Sequence, residues 1–309
     1  MSLSMRQLKY FVATAELGQV SQAAIQLSIS QSAVTTAIKE LEGEIGATLF
    51  GRTHAGMELT EAGRKFLGHA YTILSAVDDA LRAPTANSTV EGALSVATTY
   101  TVMGYFLPHH LQRFSQLYPR IAVSIYELHR EAIEEGVISN RFDMAVVLTS
   151  NLVSPELANE TFFGSERRLW VSARHPLLEL PEVTLSEVAA EPYIMLTVDE
   201  AAQTALRYWG RTPFQPRIRL RTSSVEAVRS MVANGWGVSI LSDMVYRPWS
   251  LEGKRIETVN LKDAIPAMTV GLAWKKGAEL APAMSAFRDY FRQMFLEPSF
   301  SGGGRARGI

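Results

Sequence analysis

The first 46 residues contain three short amphipathic patterns in succession, which restricts this segment to a small helical domain. Apolar residues repeat every three to four positions, the spacing of one helix face, and a glycine follows the first and third patterns. The patterns are Leu8, Phe11, Val12 and Ala15; Ala23, Ala24 and Leu27; and Val34, Ile38, Leu41 and Ile45. Only the short polar segment Ser28 to Ser30 separates the second helix from the third, so the sequence predicts a helix-turn-helix unit.

The third predicted helix carries a polar face near its N-terminal half. This face consists of hydroxyl and amide side chains and one cation: Gln31, Ser32, Thr35, Thr36 and Lys39. Such groups can reach base edges and phosphates in the major groove of DNA, which is about as wide as a helix. A solvated helix face is the ordinary alternative, but the short helix and turn that precede it favour binding to double-stranded DNA.

A β-hairpin wing and a long helix are predicted to follow. Arg52 and His54 lie near the tip of the hairpin, Gly56 lies at its turn, and Arg52 joins the predicted DNA-binding residues. The helix runs from Thr60 to about Arg82, and residues 84–89 indicate a linker. Its narrow apolar seam predicts a dimer interface, with packing on its own domain as the alternative. The seam residues are Phe66, Ala70, Ile73, Val77 and Leu81.

Charge gives little support to nucleic-acid binding, so that prediction depends on pattern. The whole chain has a formal net charge of −1, and residues 1–65 contain six basic and six acidic side chains. A domain without net charge has only a modest electrostatic attraction to DNA. We therefore expect it to bind usefully in pairs, as a dimer or a dimer of dimers.

Several stretches within residues 6–66 resemble the N-terminal domain of the LysR-type transcriptional regulators. In chain order they are Leu8 to Val12, Ala23 to Leu27, Ser30 to Thr35, Ile38 to Glu42, Leu49 to Arg52, and Leu59 to Gly63. Many members of that family carry Ser-Arg where this chain has Thr35-Thr36. The resemblance therefore implies a DNA-binding regulator but not a particular operator sequence.

From Gly92 onward, segments typical of strands and helices alternate, which predicts a parallel sheet with helices on both faces. Stretches such as Arg141 to Ala145 and Gly235 to Ser239 resemble the effector domain of the same family, which is similar to periplasmic binding proteins. The resemblance covers about residues 6–296. It implies an N-terminal all-α winged helix-turn-helix with a long linker helix, then an α/β effector domain of two Rossmann-like subdomains of the type 2 periplasmic-binding-protein kind.

The expected domain limits follow from this organisation. They are 1–65 for the winged helix-turn-helix, 60–91 for the dimerisation helix and linker, 92–163 with 267–296 for the first effector subdomain, 164–266 for the second, and 297–309 for a flexible tail.

Hydroxyl-bearing residues follow most of the predicted strands, where open parallel sheets bind ligands. Helix N-termini at the same edge offer free N–H groups, so the pattern favours a small anionic effector, although each Thr or Ser taken singly is explained by helix capping. Thr101 and Arg130 also match positions that contact effectors in related regulators, and Arg130 can bind a carboxylate bidentately. The predicted effector-binding residues are Thr99, Tyr100, Thr101, Arg130, Thr149, Thr197 and Ser223.

Two other functions are weighed against regulation. The sequence has no nucleophile elbow, zinc-protease or phosphate-loop pattern and no cysteine, so we expect no catalytic residue, metal or cofactor. A transport protein for solutes would carry an export signal, whereas the first residues here lack an apolar core. We expect a cytoplasmic, sequence-specific transcription regulator that is not an enzyme and has no membrane partner. Its expected partners are double-stranded DNA, a small effector, copies of itself as a dimer or tetramer, and RNA polymerase.

Overall fold

A computed structural model describes residues 3–53, 56–82 and 89–295. The side chains of 52–53, 75–76 and 78–82 lie outside this description. So do the predicted wing tip at His54, most of the predicted linker and the predicted tail. The chain forms two compact units, Met1–Ala86 and Asn87–Ile309.

The first unit contains four helices and a hairpin within its described residues. They are α1 (Met5–Leu17), α2 (Val20–Gln26), α3 (Gln31–Ile45), β1 (Phe50–Thr53), β2 (Gly56–Leu59) and α4 (Glu61–Arg82). The two predicted glycine stops are confirmed, because Gly18 and Gly46 end α1 and α3 with φ of 69° and 72°. These left-handed conformations suit glycine, which has no Cβ to clash.

The helix α4 packs on the core of its own unit at its N-terminal end. Gly63 permits this close approach, because a Cβ there would lie 2.1 Å from the carbonyl O of Leu49. Of the predicted seam, Phe66, Ala70 and Ile73 pack with the unit's own core. At these three residues α4 therefore packs on its own domain, which was the alternative to a dimer interface.

The second unit alternates strands and helices. Its elements are β3 (Gly92–Thr98), α5 (Tyr100–Tyr105), α6 (Leu107–Leu117), β4 (Ile121–Glu127), α7 (Arg130–Ile138), β5 (Met144–Leu148), β6 (Leu157–Ser165), β7 (Arg167–Ser172), α8 (Leu185–Ala190), β8 (Pro192–Leu196), α9 (Ala201–Trp209), β9 (Arg217–Thr222), α10 (Val225–Ala233), β10 (Ser239–Ser242), β11 (Ile256–Val259), β12 (Met268–Lys275) and α11 (Pro282–Phe295).

The first subdomain is built on a five-stranded sheet of order β4-β3-β5-β12-β6. β3 pairs in parallel with β4 and β5, which confirms the predicted parallel sheet for these strands. β12 instead runs antiparallel to β5 and β6, a direction that the alternation of strands and helices does not indicate. Apolar side chains of α6 and α11, including Phe114, Phe287 and Phe291, are fully buried in the core of this subdomain.

The second subdomain joins an antiparallel sheet of order β10-β7-β11 to the parallel pair β8-β9. A single bridge between Tyr193 and Val238 links the two groups of strands. The chain enters this subdomain at Glu166, between β6 and β7, and leaves it in the segment between β11 and β12. Two connections therefore join the subdomains. Within the described ranges, no helix is both long and apolar enough to cross a membrane.

Candidate functional sites

The polar face of α3 is open to solvent. Gln31, Ser32, Thr36 and Lys39 are exposed, and the opposite side of the helix is buried in the core. Thr35 is half-buried, and its hydroxyl donates to the backbone carbonyl O of Gln31 over 2.9 Å. Because that bond uses the hydroxyl proton, the Thr35 oxygen can only accept from a further partner.

The N-terminus of α3 is capped by its own chain. The Oγ of Ser30 accepts from the backbone N–H of Ala33 over 3.2 Å, and the Oγ of Ser32 lies 3.0 Å from it. A helix N-terminus has a positive dipole end that favours phosphate. The exposed residues Gln31 and Ser32 begin the helix at this end.

Two contacts fix the hairpin against the helices. Glu42 Oε1 accepts from the backbone N–H groups of Leu49 and Phe50, over 2.7 and 3.1 Å. Gly56 lies against the α1–α2 turn, because a Cβ there would be 2.5 Å from the carbonyl O of Gly18. Arg52 pairs with Met57 across the hairpin, and its side chain is outside the described part of the structure.

In the second unit, two consecutive acids of the second subdomain contact the first subdomain. Asp199 Oδ2 accepts from the backbone N–H of Thr101 over 2.6 Å. Glu200 Oε1 lies 3.3 Å from Arg130 Nε. The side-chain amide of Asn151 donates to the backbone O of Asp199 and to Glu200 Oε2, over 2.9 and 3.1 Å. The cluster therefore crosses the cleft between the subdomains.

The backbone of the two acids is strained. Asp199 and Glu200 have φ of 50° and 57°, in the left-handed region that side chains disfavour. Each such residue costs about 1 kcal/mol or more. The hydrogen bonds and the ion pair across the cleft offset this cost, so the conformation of the pair depends on its contacts with the first subdomain.

The surroundings raise the pKa of both members of the ion pair between Arg130 and Glu200. This favours the charged form of Arg130 and disfavours the charged form of Glu200. Burial lowers the pKa of Arg130, but the hydrogen bond to Glu134 and the charges of Glu131, Glu134 and Glu200 raise it overall. For Glu200, burial raises the pKa and outweighs the opposing effects of Arg130 and Asn151. Arg130 has carboxylates at 2.5 Å (Glu131) and 3.1 Å (Glu134) as well as Glu200 at 3.3 Å, so Glu200 is one of three acids that share its charge.

A cavity of about 40 Å³ lies beside the cluster, lined among others by Thr101, Asp199, Tyr208 and Ser239. This is room for only one or two water molecules. A larger ligand at this place therefore requires the acidic pair to move.

Two family models match the chain: the lysR-family bacterial regulatory helix-turn-helix over residues 5–64, and the LysR substrate binding domain over residues 87–296. The chain belongs to the LysR family of transcriptional regulators.

The chain also matches individual transcriptional regulators along nearly its whole length. It is 31% identical over 296 residues to YnfL of Escherichia coli (strain K12), named an uncharacterized HTH-type transcriptional regulator, covering 93% of this chain and 97% of YnfL. HinK of Pseudomonas aeruginosa, a LysR family regulator, is 28% identical with a TM-score of 0.62, covering 95% and 98% of the two chains. CbnR in complex with target DNA has a TM-score of 0.54 at 24% identity, covering 94% and 99%, a likeness of fold.

These relatives are named regulators, so this LysR-family chain is a regulator and not an enzyme. In the described ranges, no group of three or more potential ligand side chains is placed to hold a metal ion.

The structure brings two of the predicted effector-binding residues, Thr101 and Arg130, to the same acidic pair. Tyr100, at the first position of α5, is exposed. Thr99 is buried, and its hydroxyl has no hydrogen-bond partner among the described residues. A buried hydroxyl without a partner costs about 1–3 kcal/mol.

The other three predicted residues are placed differently. The Thr149 hydroxyl lies 2.8 and 2.9 Å from those of Thr161 and Thr269, inside the first subdomain. Thr197 is exposed, and its backbone N–H donates to a carbonyl of β9. Ser223 is exposed, and the neighbouring Ser224 caps α10. Among the described residues, no hydrogen bond joins Thr149 or Ser223 to the acidic pair.

Sequence reasoning missed several residues that span the cleft. Asn151 and Glu200 were not predicted, and neither was the bond from the Tyr105 hydroxyl to Glu226 Oε1, over 3.1 Å, which joins α5 to α10. The available signal was the Asp-Glu pair directly after a predicted strand. Its partners lie far away in sequence, so spacing alone cannot identify them.

Proposed function

We propose that this LysR-family regulator binds double-stranded DNA sequence-specifically through α3 and the hairpin wing, and that a small anionic effector bound between the effector subdomains controls it. The observation that carries the effector proposal is the acidic pair Asp199–Glu200, whose carboxylates contact Thr101 and Arg130. The chain's own carboxylates therefore lie where an effector carboxylate is expected.

The proposed DNA contacts rest on the exposure of the α3 face. Amide and hydroxyl groups there can read base edges, and the cations can contact phosphates. The hydrogen bonds that the backbone N–H groups of Leu49 and Phe50 donate to Glu42 hold the wing in a fixed place relative to α3. The proposed DNA-binding residues are Gln31, Ser32, Thr35, Thr36, Lys39 and Arg52.

We propose a competition at the effector site. A carboxylate that binds the Thr101 N–H and the Arg130 guanidinium replaces Asp199 and Glu200, whose strained backbone is then free to relax. An effector shifts the arrangement of the subdomains only by its different affinity for the two states. Thr99, Tyr100, Thr149, Thr197 and Ser223 remain proposed contacts, with less structural support than Thr101 and Arg130.

The organisation of the chain is also proposed. We assign 1–65 to the DNA-binding domain, 60–91 to the linker helix and linker, 92–163 with 267–296 to one effector subdomain, and 164–266 to the other. A dimer or tetramer follows from the need of a neutral domain to read two half-sites. Contact with RNA polymerase and a place in the cytoplasm follow from acting on transcription.

A footprint on the DNA upstream of the protein's own gene tests the DNA-binding proposal. We expect salt-sensitive protection that weakens at least about tenfold in Gln31→Ala/Thr36→Ala, because each lost base contact is worth about 1–3 kcal/mol. Thr72→Ala, an exposed residue of α4, is the matched control and retains wild-type binding. Binding that ignores sequence and salt, or that survives the double substitution, overturns the assignment.

Thermal unfolding of the full chain with a panel of small carboxylates tests the effector proposal. We expect one or more to stabilise the wild type and to act less on Arg130→Lys, which keeps the charge and loses the Nε–H group that pairs with Glu200. Arg120→Lys, at an exposed ion pair with Glu91, is the control. An equal response of both variants contradicts the role of Arg130.

A further inference from the structure

The two connections between the effector subdomains meet at Arg167. This residue begins β7, directly after the first connection, and its Nη1 donates to the backbone O of Pro266, in the second connection. The Arg167 side chain thus ties together the two segments that any movement between the subdomains has to bend.

A cavity of about 220 Å³ opens beside this tie. It is lined by three cations and by smaller polar groups from both subdomains: Arg167, Arg207, Arg211, Ser150, Asn151 and Thr204. This volume equals that of about seven water molecules, which suits a small metabolite. It is several times larger than the cavity beside Asp199, and Arg167 lies in the wall of both.

The cavity is electropositive and contains no acid. No carboxylate lines it, and none of its three arginines forms an ion pair within the described ranges. Arg207 Nη2 donates to the Thr204 hydroxyl over 2.9 Å, and Arg211 lies in the turn that follows α9. Like charges that line one cavity disfavour one another's charged form.

The surroundings of Arg167 also disfavour its positive charge. Burial lowers the pKa of the Arg167 guanidinium, and the charge of Arg207 lowers it further, against the opposing effects of Tyr208 and Tyr193. The folded chain therefore holds a partly buried cation next to other cations, and an anion in the cavity relieves that cost.

We propose that this cavity is a second anion site, next to the cluster around Thr101 and Arg130, with which it shares Asn151. It takes a small molecule with at least two negative charges on phosphate or carboxylate groups. Guanidinium forks bind such oxygens bidentately, and one monocarboxylate neutralises only one of the three cations. Because its wall includes both connections, a ligand there contacts the hinge itself. This site goes beyond the proposed function and does not depend on it.

Calorimetric titration of the full chain at constant ionic strength tests the proposal, with inorganic phosphate and citrate as probes and acetate as the monovalent comparison. We expect saturable binding of phosphate or citrate, and the tighter of the two indicates which chemistry the site prefers. Acetate is expected to bind at least about tenfold more weakly, because it forms fewer charge-assisted hydrogen bonds.

The cavity variant is Arg207→Gln/Arg211→Gln, whose parent side chains are exposed and whose folding is therefore not at risk. It should lose at least about tenfold in affinity. The matched control, Arg174→Gln/Arg217→Gln, removes two exposed arginines from the same unit and should change affinity less than about twofold.

Several results overturn the site. These are no saturable binding of either probe, equal binding of acetate, or equal losses in the cavity and control variants. A DNA footprint that persists in the cavity variant separates failure of this site from failure of the proposed function.

Discussion

The carboxylate of Asp199 accepts a hydrogen bond from the backbone N–H of Thr101 over 2.6 Å, and these residues lie 98 positions apart in the sequence. Thr101 belongs to the first effector subdomain and Asp199 to the second. The bond therefore depends on the arrangement of the two subdomains, and it presents a carboxylate of the chain itself to a position where an effector carboxylate is proposed.

Replacing Asp199 by Asn tests the contribution of this charge. Asn tolerates the left-handed backbone as well as Asp does and keeps a side-chain oxygen, so the substitution isolates the charge. We expect the second unit to lose about 1 kcal/mol of unfolding free energy, because a charged acceptor becomes neutral. Urea unfolding followed by tryptophan fluorescence measures this unit selectively, since all five tryptophans lie beyond residue 169.

The same variant should respond more strongly to small carboxylates, because its internal competitor is weaker. Asp289→Asn, which removes a half-exposed carboxylate near Arg288, is the control and should behave as the wild type. If Asp199→Asn and Asp289→Asn are indistinguishable in stability and in carboxylate response, the competition is refuted.

Replacing either of two glycines on α4 by alanine should change the stability of the first unit, in opposite directions. Gly63→Ala places a Cβ within 2.1 Å of a backbone carbonyl, so we expect about 1–3 kcal/mol of destabilisation. Gly68→Ala has no atom within 4 Å of the new Cβ, so helix propensity should stabilise the unit by up to about 1 kcal/mol. Thermal unfolding followed by circular dichroism compares them, and effects of equal sign contradict the packing of α4.

Local signals predicted the first unit well. Gly18 and Gly46 end their helices as expected, because glycine is favoured in a left-handed cap whatever the rest of the chain does. The exposed face of α3 follows from helical spacing for the same reason. Glu42 shows the limit of such reasoning, since its interaction with β1 depends on a chain reversal that helical spacing does not describe.

Longer-range features escaped prediction. The strand β6 was missed because only Leu157, Phe162 and Ser165 are buried along it, which leaves no regular alternation to read. The antiparallel placement of β12 and the partners of Asp199 depend on where the chain returns between the subdomains. These relations join residues about 50 to 120 positions apart, and no local periodicity contains them.

His110 should make the stability of the second unit depend on pH. It is 8% exposed, with Nδ1 3.1 Å from the Tyr290 hydroxyl. Burial, with added repulsion from His109 and Arg113, lowers its pKa to about 3. Below about pH 6.5 the unfolded chain binds a proton at this histidine and the folded chain does not. The free energy of unfolding therefore decreases as the pH is lowered, by about 2 kcal/mol at pH 5.

The substitution His110→Gln tests this dependence, because glutamine does not titrate. Urea unfolding at pH 7 and pH 5 should show a smaller pH effect in this variant than in the wild type. His129→Gln removes an exposed histidine of the same unit and should retain the wild-type pH effect. If the pH effect is unchanged in His110→Gln, a group other than His110 is responsible for it.

The salt dependence of DNA binding tests how a neutral domain engages DNA. Residues 1–65 have as many acids as bases, so the attraction must come from the few cations that are proposed to face the duplex, Lys39 among them. Lys39→Gln should reduce the slope of log affinity against log salt concentration by about 1 per subunit, because one phosphate contact is lost. Lys65→Gln is the matched control, since Lys65 lies on α4 and pairs with Glu61 at 2.8 Å. An equal change in both slopes means that general charge, and not the face of α3, governs binding.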